Sequence, residues 1–164
     1  MDKRVYTLVE ISLLAAFIAT TGSLKIPTGI PGSEFQLSAP VAIAICGVFG
    51  FRKYIIAGVL SSSILFMFGV HTLFNVEIAM VFRIVAGGII AIFGTSLPVV
   101  AIAGPIGTLA ARIVLALTLQ IPAATLIIPA IPGMIFTALT SYPLMKILQN
   151  IYKRTGSKQY ERVV

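Results

Sequence analysis

Two apolar stretches, VEIAMVFRIVAGGIIAIFG (residues 76–94) and PVVAIAGPIGTLAARIVLALTLQ (residues 98–120), each contain a single arginine. Either stretch is long enough to cross a bilayer as a helix, which takes roughly 20 residues. A guanidinium at the centre of an inserted helix costs about 3 kcal/mol, so it usually faces a bundle interior, a wet cavity or a ligand. Arg83 and Arg112 are therefore the first candidates for a functional site.

The composition of the whole chain indicates a membrane protein. Of its 164 residues, 58% are hydrophobic and only 10% are charged, and the mean hydropathy is +1.04. Such a chain could not cover its apolar surface by folding in water. Roughly six spanning helices would use most of its length and leave no room for a soluble domain. We predict an all-α integral membrane protein, with six transmembrane helices in one compact bundle and a single domain over residues 1–164.

Breaks in the apolar runs place the six helices. The segment KIPTGIPGSEFQLSAP (25–40) contains three prolines and two glycines, which disfavour regular structure. Shorter turns are predicted at FRKY (51–54) and GVHTLFN (69–75). The predicted helices cover residues 5–24, 40–49, 54–68, 76–93, 98–119 and 122–151, and a short basic tail covers residues 152–164.

The distribution of lysine and arginine predicts the orientation. With six spans both termini lie on one side, and that side collects nine basic residues. They are Lys3, Arg4, Arg52, Lys53, Lys146, Lys153, Arg154, Lys158 and Arg162. The opposite side has only Lys25 in its loops, so the positive-inside rule places both termini in the cytoplasm. Topology thus explains the net charge of +7 without nucleic acid as a partner.

The two arginines are predicted to lie at one depth. Arg83 follows Asn75 by eight residues and Arg112 precedes Gln120 by eight, so both would lie about 12 Å below the outer boundary at 1.5 Å per residue. The PAIPG segment (129–133) of the last helix loses backbone hydrogen bonds and is expected to kink in the same layer. Broken helices at membrane depth often line a substrate site in transporters.

Each arginine belongs to a stripe of small or polar residues at i+4 spacing, so both are predicted to point inward. Glu77 is the acidic residue in the outer half of these spans, and it could neutralise at most one of them. An unpaired cation favours a ligand carboxylate or phosphate. The alternative is structural: an arginine could pair with an acid or cap the carbonyls of a kinked helix without touching a ligand.

Other polar residues are weaker candidates for the same site. His71 lies in a short external loop, where a histidine is either a solvated polar residue or a ligand-binding group. Asn75 and Glu77 lie at the external start of the helix that carries Arg83. Gln36 and Ser38 in the first external loop, and Thr137 in the last helix, are polar residues at plausible positions.

The first helix has two adjacent rows of small residues, a pattern that permits close helix contact. One row contains Ser12, Ala16 and Thr20, and the other contains Ala15, Ala19 and Ser23. The rows could pack inside the bundle or dock a partner subunit, and spacing alone does not separate these alternatives.

Three segments resemble a known family. LLAAFIATTGSLKIP (13–27), with its AxxxA row, FQLSAPVAIAICGVFG (35–50) and PGMIFTALTSYPL (132–144) look like segments of the substrate-binding S components of energy-coupling factor (ECF) transporters. The basic N-terminus, six predicted helices and a Pro/Gly-rich first external loop have the same layout. The resemblance covers nearly the whole chain.

The resemblance implies a function and its partners. S components bind a vitamin or related micronutrient near the outer face, in a pocket lined by the last three helices and closed by external loops. Their small-residue rows contact a transmembrane T component, which two cytoplasmic ATPases drive. On this chain, Ala15, Ala16 and Ala19 would then be coupling residues, and the arginines would line the pocket. A location in a prokaryotic plasma membrane, as a multi-pass subunit of an ABC importer, would follow.

Catalytic motifs are missing from the sequence. It has no Walker A, HExxH or GxSxG motif and a single histidine, so we expect neither an enzyme nor a bound metal or cofactor. The alternative to an S component is a stand-alone homo-oligomeric transporter or channel that uses the arginines as an anion filter.

Overall fold

The computed structural model describes residues 3–23, 25–26, 35–36 and 38–160, with side chains for residues 4–23 and 38–154. Helices form almost all of these ranges. Their order along the chain is α1 (Lys3–Ser23), α2 (Ser38–Phe49), α3 (Phe51–Met67), α4 (Leu73–Phe93), α5 (Leu97–Leu119), α6 (Ala123–Ile127), a 3₁₀ turn (Ile128–Ala130) and α7 (Ile131–Tyr160). Between α1 and α2, β1 (Lys25–Ile26) pairs antiparallel with β2 (Phe35–Gln36), with Lys25 opposite Gln36.

Four of the described segments are long and apolar enough to cross a membrane. They are Arg4–Ser23, Leu73–Phe93, Leu97–Leu119 and Ala123–Arg154. The prediction of an all-helical, multi-pass membrane protein is thereby confirmed. Helix α2 is apolar but has 12 residues, about 18 Å of helix against a hydrocarbon core of about 30 Å. Six complete spans and cytoplasmic termini stay predictions.

The side chains are arranged as expected for a protein surrounded by lipid. Leu13, Ile92 and Leu139 are large apolar residues that are exposed on the outside of the bundle. Small residues instead allow the helices to approach one another: a Cβ added at Gly107 of α5 would lie 2.8 Å from the Cβ of Ala86 on α4. Close approach through small residues is the usual basis of helix packing in membranes.

Helix α2 lies at the centre of the bundle. All seven residues from Pro40 to Cys46 are buried, and α2 contacts α1, α3, α4, α5 and α7. The other major contacts join α4 with α5, α1 with α3, α5 with α7 and α3 with α4. These contacts bring the first five helices around a common interior, in which the candidate site lies.

The predicted FRKY turn is wrong. Helix α3 already begins at Phe51, and the chain turns at Gly50 alone, whose φ of 84° lies in the left-handed region that glycine adopts without strain. The amide of Gly50 donates to the carbonyl of Cys46 at 3.0 Å, which closes α2. A single residue therefore replaces the predicted four-residue turn, and Tyr54 lies inside the first part of α3.

The structure differs from the predicted last helix, 122–151, near both its start and its end. The 3₁₀ turn interrupts it around Pro129, because a proline has no N–H to donate to the preceding helical turn. At the other end, α7 continues to Tyr160 through much of the predicted tail. Polar residues end an apolar segment, but they can continue a helix in water. Hydropathy therefore located the end of the apolar segment and did not locate the end of the helix.

Candidate functional site

A cavity of about 100 Å³ lies among the first five helices and the loop between α3 and α4. Its polar lining residues are Ser38, Ser61, His71, Asn75, Arg83, Thr108 and Arg112. Five of these, Ser38, His71, Asn75, Arg83 and Arg112, are candidates from the sequence, and the fold brings them together. Their role as binding residues stays a prediction.

Arg83 lies on the inward face of α4 and is only 6% exposed. Its Nη1 donates a hydrogen bond of 2.7 Å to the hydroxyl oxygen of Ser62 on α3. Gly58 makes room for the side chain, since a Cβ at that position would overlap Nε and Cδ of Arg83. Tyr54 is close enough to interact electrostatically with the guanidinium. Neighbouring polar groups thus fix Arg83 in place without neutralising its charge.

The α3 surface beneath Arg83 was not predicted from the sequence. Tyr54, Gly58, Ser61 and Ser62 lie within about two helical turns, and all four are buried. The spacing i, i+4, i+7 and i+8 is that of one helical face. Two adjacent serines one turn after a glycine would have been the signal for a polar face opposite an arginine.

Arg112 lies on the cavity side of α5, one turn after Thr108. Its Nε is buried and has no hydrogen-bond partner among the described residues. A buried N–H of a guanidinium without an acceptor is costly, because hydrogen bonds to charged groups are the strong ones. An acceptor entering the cavity would remove this cost.

The cavity lining contains no carboxylate among the described side chains. Glu77, predicted as a possible partner for one arginine, instead accepts a hydrogen bond of 2.6 Å from Oγ1 of Thr118 and lies outside the lining. It therefore links α4 to α5 beside the cavity. Both arginines remain without an acidic partner in the described part of the chain.

The remaining pocket candidates lie elsewhere. Thr137 of α7 packs against Gly104 of α5, and its Oγ1 donates to the carbonyl of Gly133 at 2.8 Å, so it is not part of the lining. The backbone of Gln36 belongs to β2, while its side chain lies outside the described side chains. Asn75 lines the cavity in the first turn of α4, where its backbone N–H donates to Oγ1 of the N-cap Thr72.

The resemblance implies a pocket formed by the last three predicted helices, and two of these, α4 and α5, line this cavity. Its lining comes from α1 to α5 and the α3–α4 loop, with no residue of α6 or α7. The 3₁₀ turn around Pro129, predicted to lie in the layer of the arginines, also contributes nothing to the lining. Helices α1, α2 and α3 complete the lining, and α3 supplies the polar face beneath Arg83.

The two small-residue rows of α1 have different environments. Ala15 is 3% exposed and belongs to the core, and Ala19 is half-buried. Ser12, Ala16 and Thr20 are exposed along one side of the helix. Ala15 thus packs inside the bundle, whereas the row containing Ala16 is accessible to a partner.

The cavity has the chemistry of an anion-binding site. It combines two guanidinium groups with hydroxyl and amide donors from four helices, the donor set that binds carboxylates in proteins. Among the described residues, no group of three or more histidine, cysteine or acidic side chains could hold a metal ion. The arrangement is suited to binding an anion in a largely apolar interior.

A comparison with known proteins identifies a close relative. The chain is 54% identical over 159 residues to a protein named BioX from Lysinibacillus sphaericus. The alignment covers 97% of this chain and 96% of the relative. No protein-family model matches the chain, and no solved structure matches it. Identity at this level over nearly the full length of both chains shows that this membrane protein belongs to the BioX family.

Proposed function

We propose that this protein is the substrate-binding S component of an ECF-type importer, and that it captures a small biotin-related carboxylate at the outer face of a prokaryotic plasma membrane. The name of its BioX relative supports the biotin-related part of the proposal. A transmembrane T component and two cytoplasmic ATPases would energise the import. The protein itself would bind the substrate without transforming it.

The observation that carries this proposal is a pair of arginines in a cavity without a described carboxylate. A structural arginine in a membrane protein is normally paired inside the protein. Here Arg83 is hydrogen-bonded to a neutral serine and Arg112 retains an unpartnered Nε, so both positive charges are available to a ligand. A binding protein for an acidic substrate requires such a site.

The exposed row of α1 supports a partner in the membrane. Ser12, Ala16 and Thr20 leave a smooth surface on a helix whose other outward residues, such as Leu13, are bulky. Small residues permit backbones of two helices to approach closely. We assign this exposed row to contact with the T component.

Affinity purification from native membranes tests the proposal. The tagged protein should recover a T component and ATPases, and uptake of labelled biotin or a related acid into vesicles should require ATP. Ala16→Leu should reduce that recovery, because a larger side chain separates the two helices. The matched control is Ala91→Leu, at an exposed alanine of α4, which should not reduce it. Recovery of identical subunits alone, together with ATP-independent flux, would contradict the proposal.

A further inference from the structure

The charge of the cavity exceeds what one carboxylate can neutralise. Arg83 and Arg112 both line it, and no described lining residue is acidic. A buried charge that lacks a counterion is expensive, more so inside a membrane domain. A ligand with one negative charge would leave one positive charge uncompensated, whereas a ligand with two would neutralise the cavity.

The unpaired donors of the cavity form two groups on different helices. On the α3 and α4 side, Arg83 and Ser61 both line the cavity, and the hydroxyl of Ser61 is fully buried and has no hydrogen-bond partner among the described residues. On the α5 side, Arg112 has an unpartnered Nε with Thr108 one turn away. Buried polar groups in native proteins are nearly always paired, so the unpaired hydroxyl of Ser61 and the unpaired Nε of Arg112 indicate two places for a ligand acceptor.

Apolar side chains contribute the rest of the lining on α4 and α5. Ala79 and Phe82 lie on α4 and Ala111 lies on α5, and all three line the cavity. Apolar surface of this kind accommodates methylene groups, with a few placed polar groups to fix orientation. These apolar side chains cannot form hydrogen bonds with a ligand that is polar along its whole length.

The size of the cavity limits the ligand. Its volume of about 100 Å³ exceeds the roughly 10–15 Å³ that one water requires. It is well below the roughly 300–1,000 Å³ of pockets for drug-sized ligands. A short acyclic molecule suits this space better than a bulky ring system.

We infer that the substrate is a small acyclic dicarboxylate, with one carboxylate bound by Arg83 and Ser61 and the other by Arg112. This inference rests on the proposed function and narrows its substrate class. The two carboxylates are joined by a short methylene chain that lies against Phe82 and its apolar neighbours. An organic phosphate also carries about two negative charges, but both lie at one end of the molecule. The experiment below therefore includes an alkyl phosphate.

Calorimetric titration of the purified full-length protein in lipid nanodiscs tests the inference. The probes are straight-chain α,ω-dicarboxylates of increasing length, their half methyl esters, an alkyl phosphate of matched length, and biotin. The best dicarboxylate should bind about 100-fold more tightly than its half ester, as expected when one charge-assisted contact is lost. Equal affinity for the two, or tighter binding of the alkyl phosphate, would overturn the inference.

Variants assign the two ends of the ligand. Arg112→Gln should reduce dicarboxylate affinity about 100-fold and leave half-ester affinity within about threefold, because the half ester has a single charge to place on Arg83. Ser61→Ala should weaken both ligands about fivefold through one lost hydrogen bond. The matched controls are Arg52→Gln and Ser63→Ala, at exposed positions of α3, and neither should alter affinity.

The outcomes separate this inference from the proposed function. Tight binding of biotin with no binding of dicarboxylates overturns the dicarboxylate assignment and leaves an S component for a monocarboxylate. Binding of none of these acids, by a protein that also recovers no T component, overturns both. If Arg112→Gln fails to fold, Arg112→Lys retains the charge and should reduce dicarboxylate affinity about tenfold, since lysine lacks the planar fork of arginine; unchanged affinity in that variant contradicts the inference.

Discussion

The protein treats its basic side chains differently in two regions. Lys53 of α3 forms an ion pair with Glu10 of α1, and this pair joins the two helices. Arg83 and Arg112, in the cavity, have no carboxylate partner among the described residues. The charge of Lys53 is neutralised by an acidic residue of the protein, whereas the two arginines have no such counterion among the described residues. A buried or partly buried charge that lacks a counterion within the protein is therefore a better candidate for ligand binding than one that is already paired.

The largest expected effect is at Arg83. Arg83→Met should reduce affinity for a carboxylate ligand about 100-fold or more, because a charge pair at an interface is worth roughly 2–5 kcal/mol or more. The empty protein should be no less stable, since replacing a buried uncompensated charge by an apolar side chain is often neutral or stabilising. Titration and thermal unfolding without ligand measure the two effects. A variant that unfolds at lower temperature and binds normally would make Arg83 a structural residue.

The opposite pattern is expected at Glu10. Glu10→Gln should destabilise the protein by about 1–2 kcal/mol, a figure discounted because the Lys53 side chain is 33% exposed and partly screened by solvent. Ligand affinity should stay within about twofold of the wild type, because Glu10 is not among the residues that line the cavity. Thermal unfolding and titration of the same preparation check both parts. Loss of affinity without loss of stability would remove the distinction between the two regions.

Gly58 provides a smaller and more geometric test. Gly58→Ala places a methyl group against Nε and Cδ of Arg83, which should displace the guanidinium and reduce affinity about tenfold. The matched control is Gly88→Ala on α4, where an added Cβ meets nothing within 4 Å. The control should bind normally and be about 0.5–1 kcal/mol more stable, since alanine favours a helix over glycine. Equal affinities in the two variants would show that the position of Arg83 does not matter for binding.

The last prediction concerns the increase in the free energy of unfolding when ligand is bound. Saturation at about 100 times the dissociation constant should stabilise the folded protein by about 2.7 kcal/mol. This gain should disappear in Arg83→Met and persist in Glu10→Gln. Thermal unfolding with and without ligand is the measurement, and a gain retained in Arg83→Met would contradict ligand recognition by this arginine.

The sequence predicted the parts of the fold that depend on hydropathy. Apolar runs located the long helices α1, α4 and α5, because a membrane span has a required length and composition. The start of α3 was missed, since a single glycine at positive φ can replace a longer turn. The continuation of α7 to Tyr160 was missed because hydropathy reports the membrane and not the helix.

The arginines of the candidate site were predicted from the sequence, whereas the residues of α3 that contact Arg83 were not. Inward-facing arginines follow from the cost of charge in lipid, and the structure brings both to one cavity. The helices that complete the cavity depend on tertiary packing, which spacing along one helix does not contain. Thus Ser61 and Ser62 were overlooked on α3, while Thr137 was included although it packs against α5.

If the two arginines hold an acidic ligand, that ligand should co-purify with the protein, and native mass spectrometry of the gently purified protein would detect it. The wild type should release a small molecule that carries at least one carboxylate, and the Arg83→Met, Arg112→Met double variant should release none. A neutral or cationic molecule, or an acidic one that the double variant retains equally well, would contradict recognition of an acidic ligand by these arginines.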